Sequence, residues 1–149
     1  MRILRLYLVL LFIPFIQPAA ATGAEFKGVR ELLVVDKIAT DDLYNISIVF
    51  QRCAGLFSAF AKFIPGDMKE QKEKFFNVSM EILVMATQAM AEKRGLPLDS
   101  KVIGDQVDKA FLSYVDIYYE HMEDNQIKTG SMFDEFIKAE QAICSQLAK

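Results

Sequence analysis

Apolar residues along the chain recur at three- and four-residue steps in four long segments, the spacing that lines one face of an α-helix. In the first, Leu43, Ile46, Phe50, Cys53, Phe57, Phe60 and Ile64 form such a stripe. Ile48, Val49, Leu56 and Phe63 lie off it, so this segment is apolar nearly all round and is expected to be buried on several sides. The second opens with the polar run DMKEQKEK and then carries Phe75, Phe76, Val78, Ile82, Leu83, Ala86, Ala89 and Met90. The third has Ile103, Val107, Phe111, Tyr114, Tyr118 and Met122; the fourth has Phe133, Phe136, Ile137, Ile143, Cys144 and Leu147.

The punctuation between these segments fits helix ends. Thr40 or Asp41 can accept backbone N–H bonds at the first start, and Pro65 stops that helix because it has no N–H to continue the ladder. Lys93 and Arg94 suit the negative end of the second helix, with Gly95 as the left-handed residue after it. Ser131 with Asp134 resembles a capping box with Asp in place of Glu. The expected helices are therefore about 41–64, 67–94, 99–126 and 131–148. Residues 25–39 hold a short apolar run, Leu32 to Val35, that periodicity assigns neither to a short helix nor to an extended arm. In either form it can cover the surplus apolar surface of the first helix; the rival is a protein partner or a homodimer through that helix.

Four helices joined by short loops most simply pack up-down-up-down, which predicts an all-α four-helix bundle with an N-terminal arm, one domain over 25–149. The first and last helices are then antiparallel neighbours. Cys53 lies 11 residues before Ile64, and Cys144 lies 12 residues after Met132. At the helical rise these are about 17 and 18 Å from a shared end, so the two thiols arrive level, both on apolar faces. That matching predicts one inter-helix disulfide, Cys53–Cys144. No Lys, Arg or His shares the Cys53 face to activate its thiol.

The first residues supply the oxidising compartment that such a bond needs. Arg2 and Arg5 precede an apolar run from Leu6 to Ile16, followed by Pro18 and small residues at Ala19, Ala20, Ala21 and Ala24. This is the layout of a secretory signal peptide, expected over 1–24 with cleavage after Ala21 or Ala24. A spanning helix needs about 20 apolar residues, and Pro14 interrupts this run, so no stable membrane anchor is expected after cleavage. The expected location is periplasmic or secreted. Losing residues 1–24 removes two arginines and no acid, moving the net charge from −3 to −5. A mildly acidic chain without clustered Lys and Arg argues against a nucleic-acid partner.

The search for chemistry is mostly negative. His121 is the only histidine and stands among Asp116, Glu120, Glu123 and Asp124. Zinc sites want several His or Cys, and di-iron bundles want Glu-x-x-His on two helices, so this reads as a solvated acidic face with no metal. No Cys-x-x-Cys-His haem attachment occurs, and Met80, Met85 and Met90 read as core filler, so no cofactor is expected. No nucleophile lies in a recognisable elbow or Gly-rich loop, which points away from an enzyme. Tyr114 and Tyr118 read as core-edge packing; their functional reading is the wall of a small-ligand pocket with Met122. Asn45-Ile46-Ser47 and Asn77-Val78-Ser79 match the glycosylation acceptor but fall within expected helices.

The leader, the stretch RCAGL (52–56), the loop DNQIKTGSMF (124–133) and the late cysteine together resemble small exported helical proteins of bacteria and their viruses that have no assigned function. The resemblance implies an exported setting and no activity, ligand or site residue. The function class this leaves is a non-enzymatic binding or interaction protein, of inhibitor or immunity type. The alternatives are a small-ligand or haem carrier using an inter-helix pocket and a structural envelope component.

Overall fold

Small residues on the first helix decide how the chain packs. In the computed structural model, which describes residues 26–148, four helices follow one another: α1 (Leu43–Phe63), α2 (Lys69–Arg94), α3 (Lys101–Thr129) and α4 (Glu135–Leu147). The signal peptide expected over 1–24 lies outside the described residues.

The second helix ends at Arg94 as expected, and the other helix ends differ from expectation by one to four residues. Asp42, rather than Thr40 or Asp41, caps α1, accepting the Tyr44 N–H at 2.8 Å. Ile64 is already extended, as a residue before proline prefers. Gly95 (φ +61°) and Gly130 (φ +78°) close α2 and α3 in the left-handed conformation that a side chain disfavours. α3 therefore runs on to Thr129, past the expected 126. α4 begins at Glu135, not near 131. The Ser131 hydroxyl accepts the Phe133 N–H in a local turn, and Asp134 is the cap, accepting the Ile137 N–H at 2.8 Å.

Residue pairs fix the topology. Ser47 meets Ala86 and Ser58 meets Ser79, so α1 and α2 are antiparallel. Gly55 meets Tyr114 and Phe63 meets Tyr119, so α3 runs parallel to α1. Tyr118 meets Glu140 and His121 meets Asp134, so α4 returns antiparallel to α3. The bundle is up-down-up-down, and the two sulfurs meet as their matched heights require: Cys53 and Cys144 are bonded, with Cα atoms 5.3 Å apart.

α1 is the hub. On one side Ser47, Gln51, Ala54 and Ser58 step by three or four residues along α2. Ser47 Oγ donates to the Ala86 carbonyl (2.8 Å) and accepts from Gln51 Nε2 (2.8 Å). Ser79 Oγ donates to the Ala54 carbonyl (2.8 Å), 3.0 Å from Ser58 Oγ. These buried hydroxyls satisfy one another and let two helices approach closely. On another side Gly55 receives α3. α2 and α3 each pack extensively on α1 and far less on one another. By length and composition α1 would pass as a membrane span; 61% of that window is buried inside the fold, as befits a central helix.

The arm takes the helical alternative. Residues 29–35 wind into a turn whose later part, Glu31–Val35, is a π-helix. Val29 is fully buried, and Phe26 packs edge-on against Tyr118 with ring centroids 5.3 Å apart. Leu33 and Ile38 pack against the core, and with Ile46, Val49 and Phe50 of α1 and Leu147 of α4 they line an apolar concavity of about 280 Å³. The arm thus covers part of the surplus apolar surface of α1.

Candidate functional site

Because α2 and α3 are drawn to α1 and not to each other, a trench remains between them. Its floor is Ser58, Ala61 and Lys62 of α1. Lys69, Lys72, Glu73 and Phe76 of α2 form one wall; Phe111, Leu112 and Val115 of α3 form the other. It encloses about 590 Å³, within the usual range for ligand sites. Phe76 and Leu112 are 50% and 58% exposed, unusual for large apolar side chains facing each other across a cleft. Along α2 the apolar track continues through Met80 and Val84, one helical turn apart and also exposed.

The trench is polarised along its length. Lys62, Lys69 and Lys72 stand toward the α1–α2 turn, and Phe76 and Leu112 toward the middle of the bundle. Lys62 Nζ is 3.6 Å from Asp116 and 4.2 Å from the centroid of the Tyr119 ring. Lys69 and Lys72 form no ion pair among the described residues.

The residues singled out from sequence fall elsewhere. Tyr118 and Met122 are fully buried, and with Tyr114 they line none of the concavities described here. The space a pocket would need beside them holds Phe26 from the arm and the carboxylate of Glu140. The Tyr118 hydroxyl donates to Glu140 Oε2 at 2.6 Å. Burial pushes this phenol well above its ordinary value, and the Glu140 charge and hydrogen bond add to the effect. Tyr114 stays at the core edge, where the Arg52 guanidinium lies over its ring (5.1 Å) and that of the neighbouring Phe26 (4.8 Å). Arg52 Nε and Nη1 are buried without a hydrogen-bond partner.

Glu140, which periodicity passed over, is the chemical centre of this region. It is 1% exposed and accepts three donors: the Val29 N–H (2.8 Å), the Arg30 N–H (3.2 Å) and the Tyr118 hydroxyl. Val29 and Arg30 open the helical turn of the arm, so a carboxylate from α4 caps it. The sequence signal was available, since Glu140 falls on the α4 stripe between Ile137 and Cys144.

His121 also serves structure. Its Nε2 donates to Asp134 Oδ2 at 2.7 Å, and its ring lies 4.9 Å from that of Phe136, joining the end of α3 to the start of α4. Burial raises the Asp134 carboxyl, but the Ile137 N–H and His121 together outweigh it and hold the group below its ordinary value. His121, Glu120, Glu123 and Asp124 line an open acidic depression, but among the described residues no three His, Cys, Asp or Glu side chains converge as metal ligands. Both glycosylation-type serines, Ser47 and Ser79, are the buried hydroxyls of the α1–α2 contact.

Comparison with protein-family models, with curated proteins and with solved structures finds no match.

Proposed function

We propose that this chain is an exported, non-catalytic binding protein that receives an apolar guest in the α2–α3 trench, on the strip of α1 that the other helices leave open. The observation that carries the reading is the trench itself. Large apolar side chains flank a pre-formed slot that the chain does not fill, while the space beside Tyr114 and Tyr118 is filled by Phe26 and Glu140, and the apolar concavity under the arm is about half the volume. Leaving Phe76 and Leu112 in water forgoes hydrophobic stabilisation that a guest would recover. A disulfide in a chain with a secretory leader supports a periplasmic or secreted location.

The test is capture. Oxidised protein and its Leu112→Glu variant are each immobilised and exposed to envelope extract of the native host, and bound material is identified by mass spectrometry. Leu112 is exposed, so the variant keeps the fold. The reading expects material retained by the wild type and lost from the variant. Equal retention by both would remove it.

A further inference from the structure

The trench is open enough to be reached and too narrow for most macromolecules. Its floor residues Ser58 and Ala61 are only 9% and 3% exposed although nothing covers them, so its walls alone keep water off them. An α-helix with side chains is about 10–12 Å across and would rest on the rim. A polymethylene chain is far thinner and can lie between the walls above the floor, against Phe76, Phe111, Leu112 and Val115.

The charges say which way such a chain lies. Lys62, Lys69 and Lys72 line one end with Glu73 as the one acid in the lining, so the lining there keeps a positive excess, with Asp116 beside Lys62 and Asp67 and Glu70 outside the lining. Away from it the lining is Phe76, Phe111, Leu112 and Val115, and the exposed track over Met80 and Val84 continues the apolar surface. From Phe76 to Val84 that track adds about 12 Å along α2. A slot with a cationic mouth and a long apolar run matches an amphiphile with one anionic head and one alkyl tail.

We propose that the trench binds a long-chain fatty acid, its carboxylate at Lys62, Lys69 and Lys72 and its tail between Phe76 and Leu112. This rests on the reading of the trench as the binding site and names its ligand class. Each methylene brought out of water strengthens binding about fourfold, so affinity climbs steeply with chain length.

The experiment is calorimetric titration of the oxidised protein with palmitate, decanoate and hexadecyltrimethylammonium, each below its micelle concentration. Native mass spectrometry gives the stoichiometry. One palmitate is expected per chain, with decanoate and the cationic amphiphile each at least tenfold weaker. Lys69→Glu combined with Lys72→Glu should weaken palmitate at least tenfold, and Leu112→Glu should do the same. All these positions are exposed, and an unchanged unfolding midpoint confirms that each variant folds. Equal affinity for the anionic and cationic heads, or binding indifferent to Leu112→Glu, overturns the proposal. Absence of palmitate binding alongside Leu112-dependent capture from extract overturns the fatty-acid assignment and leaves the binding function standing.

Discussion

Gly55 of α1 lies against Tyr114 of α3 so closely that a Cβ built on the glycine would sit 2.6 Å from the Tyr114 Cβ and 3.1 Å from its backbone carbon. Backbone cannot rotate aside as a side chain can. Gly55→Ala is therefore expected to push α3 off α1. Overpacking of this kind costs about 1–3 kcal/mol, against about 1 kcal/mol gained in helix propensity. Gly104, with nothing within 4 Å of its Cβ position, is the control: Gly104→Ala should stabilise by about 0.5–1 kcal/mol. Thermal unfolding of the pair should move in opposite directions.

Removing the Cys53–Cys144 bond frees a loop of 91 residues in the unfolded chain. The chain-entropy treatment gives a loss of about 4–5 kcal/mol for Cys53→Ser with Cys144→Ser. That is a large part of the usual stability of a domain, and denaturant unfolding should register it as a lower midpoint. Cys53 and Cys144 are bonded to each other and leave no free thiol, so thiol reagents should label native, unreduced protein at neither position.

Glu140 holds the arm. Glu140→Gln puts an amide where three donors converge, and leaving buried donors unmatched costs about 1–3 kcal/mol. Hydrogen exchange at the Val29 and Arg30 amides should accelerate, while amides of the α1–α2 contact stay protected. Tyr118→Phe removes one donor and should cost about 1 kcal/mol. The folded value of the Tyr118 phenol is raised, so its contribution is complete below the ordinary tyrosine value of about 10 and fades as pH rises through the raised one. The advantage of wild type over Tyr118→Phe should therefore shrink only at strongly alkaline pH.

Asp134 acts at the opposite end of the scale. Its folded value is lowered, so its contribution is present above about pH 4 and is lost as pH falls through the lowered value. Asp134→Ala removes the α4 cap and should cost about 0.5–2 kcal/mol at neutral pH. Asp134→Asn keeps a capping oxygen but not the charge facing His121. The stability gap between wild type and Asp134→Asn should close as pH falls below about 4, as acid unfolding curves would show.

Much of this architecture was legible in the residues. The stripes located four helices, the short loops anticipated the antiparallel pairing of α1 with α4, and the matched distances of Cys53 and Cys144 from a shared end then anticipated their bond. Periodicity could not see how a face is shared among neighbours. Phe75 and Phe76 both counted as apolar side, yet they point about 100° apart on a helix, and only Phe75 packs onto Phe57 and Phe60. The trench follows from that split and from the small residues of α1, whose contacts set helix spacing without any apolar signal. Glu140 was missed because a charge in an apolar stripe reads as noise until its donors, 110 and 111 residues away, are in place.

The central claim is that the α2–α3 trench, and no other apolar concavity, receives the guest. Methyl-resolved NMR of the oxidised protein titrated with palmitate tests it most directly. The account predicts shifts at Ala61, Leu112 and Val115, with Leu33, Ile38 and Leu147 under the arm unmoved. Shifts centred on the arm residues, or none at Leu112, would contradict it.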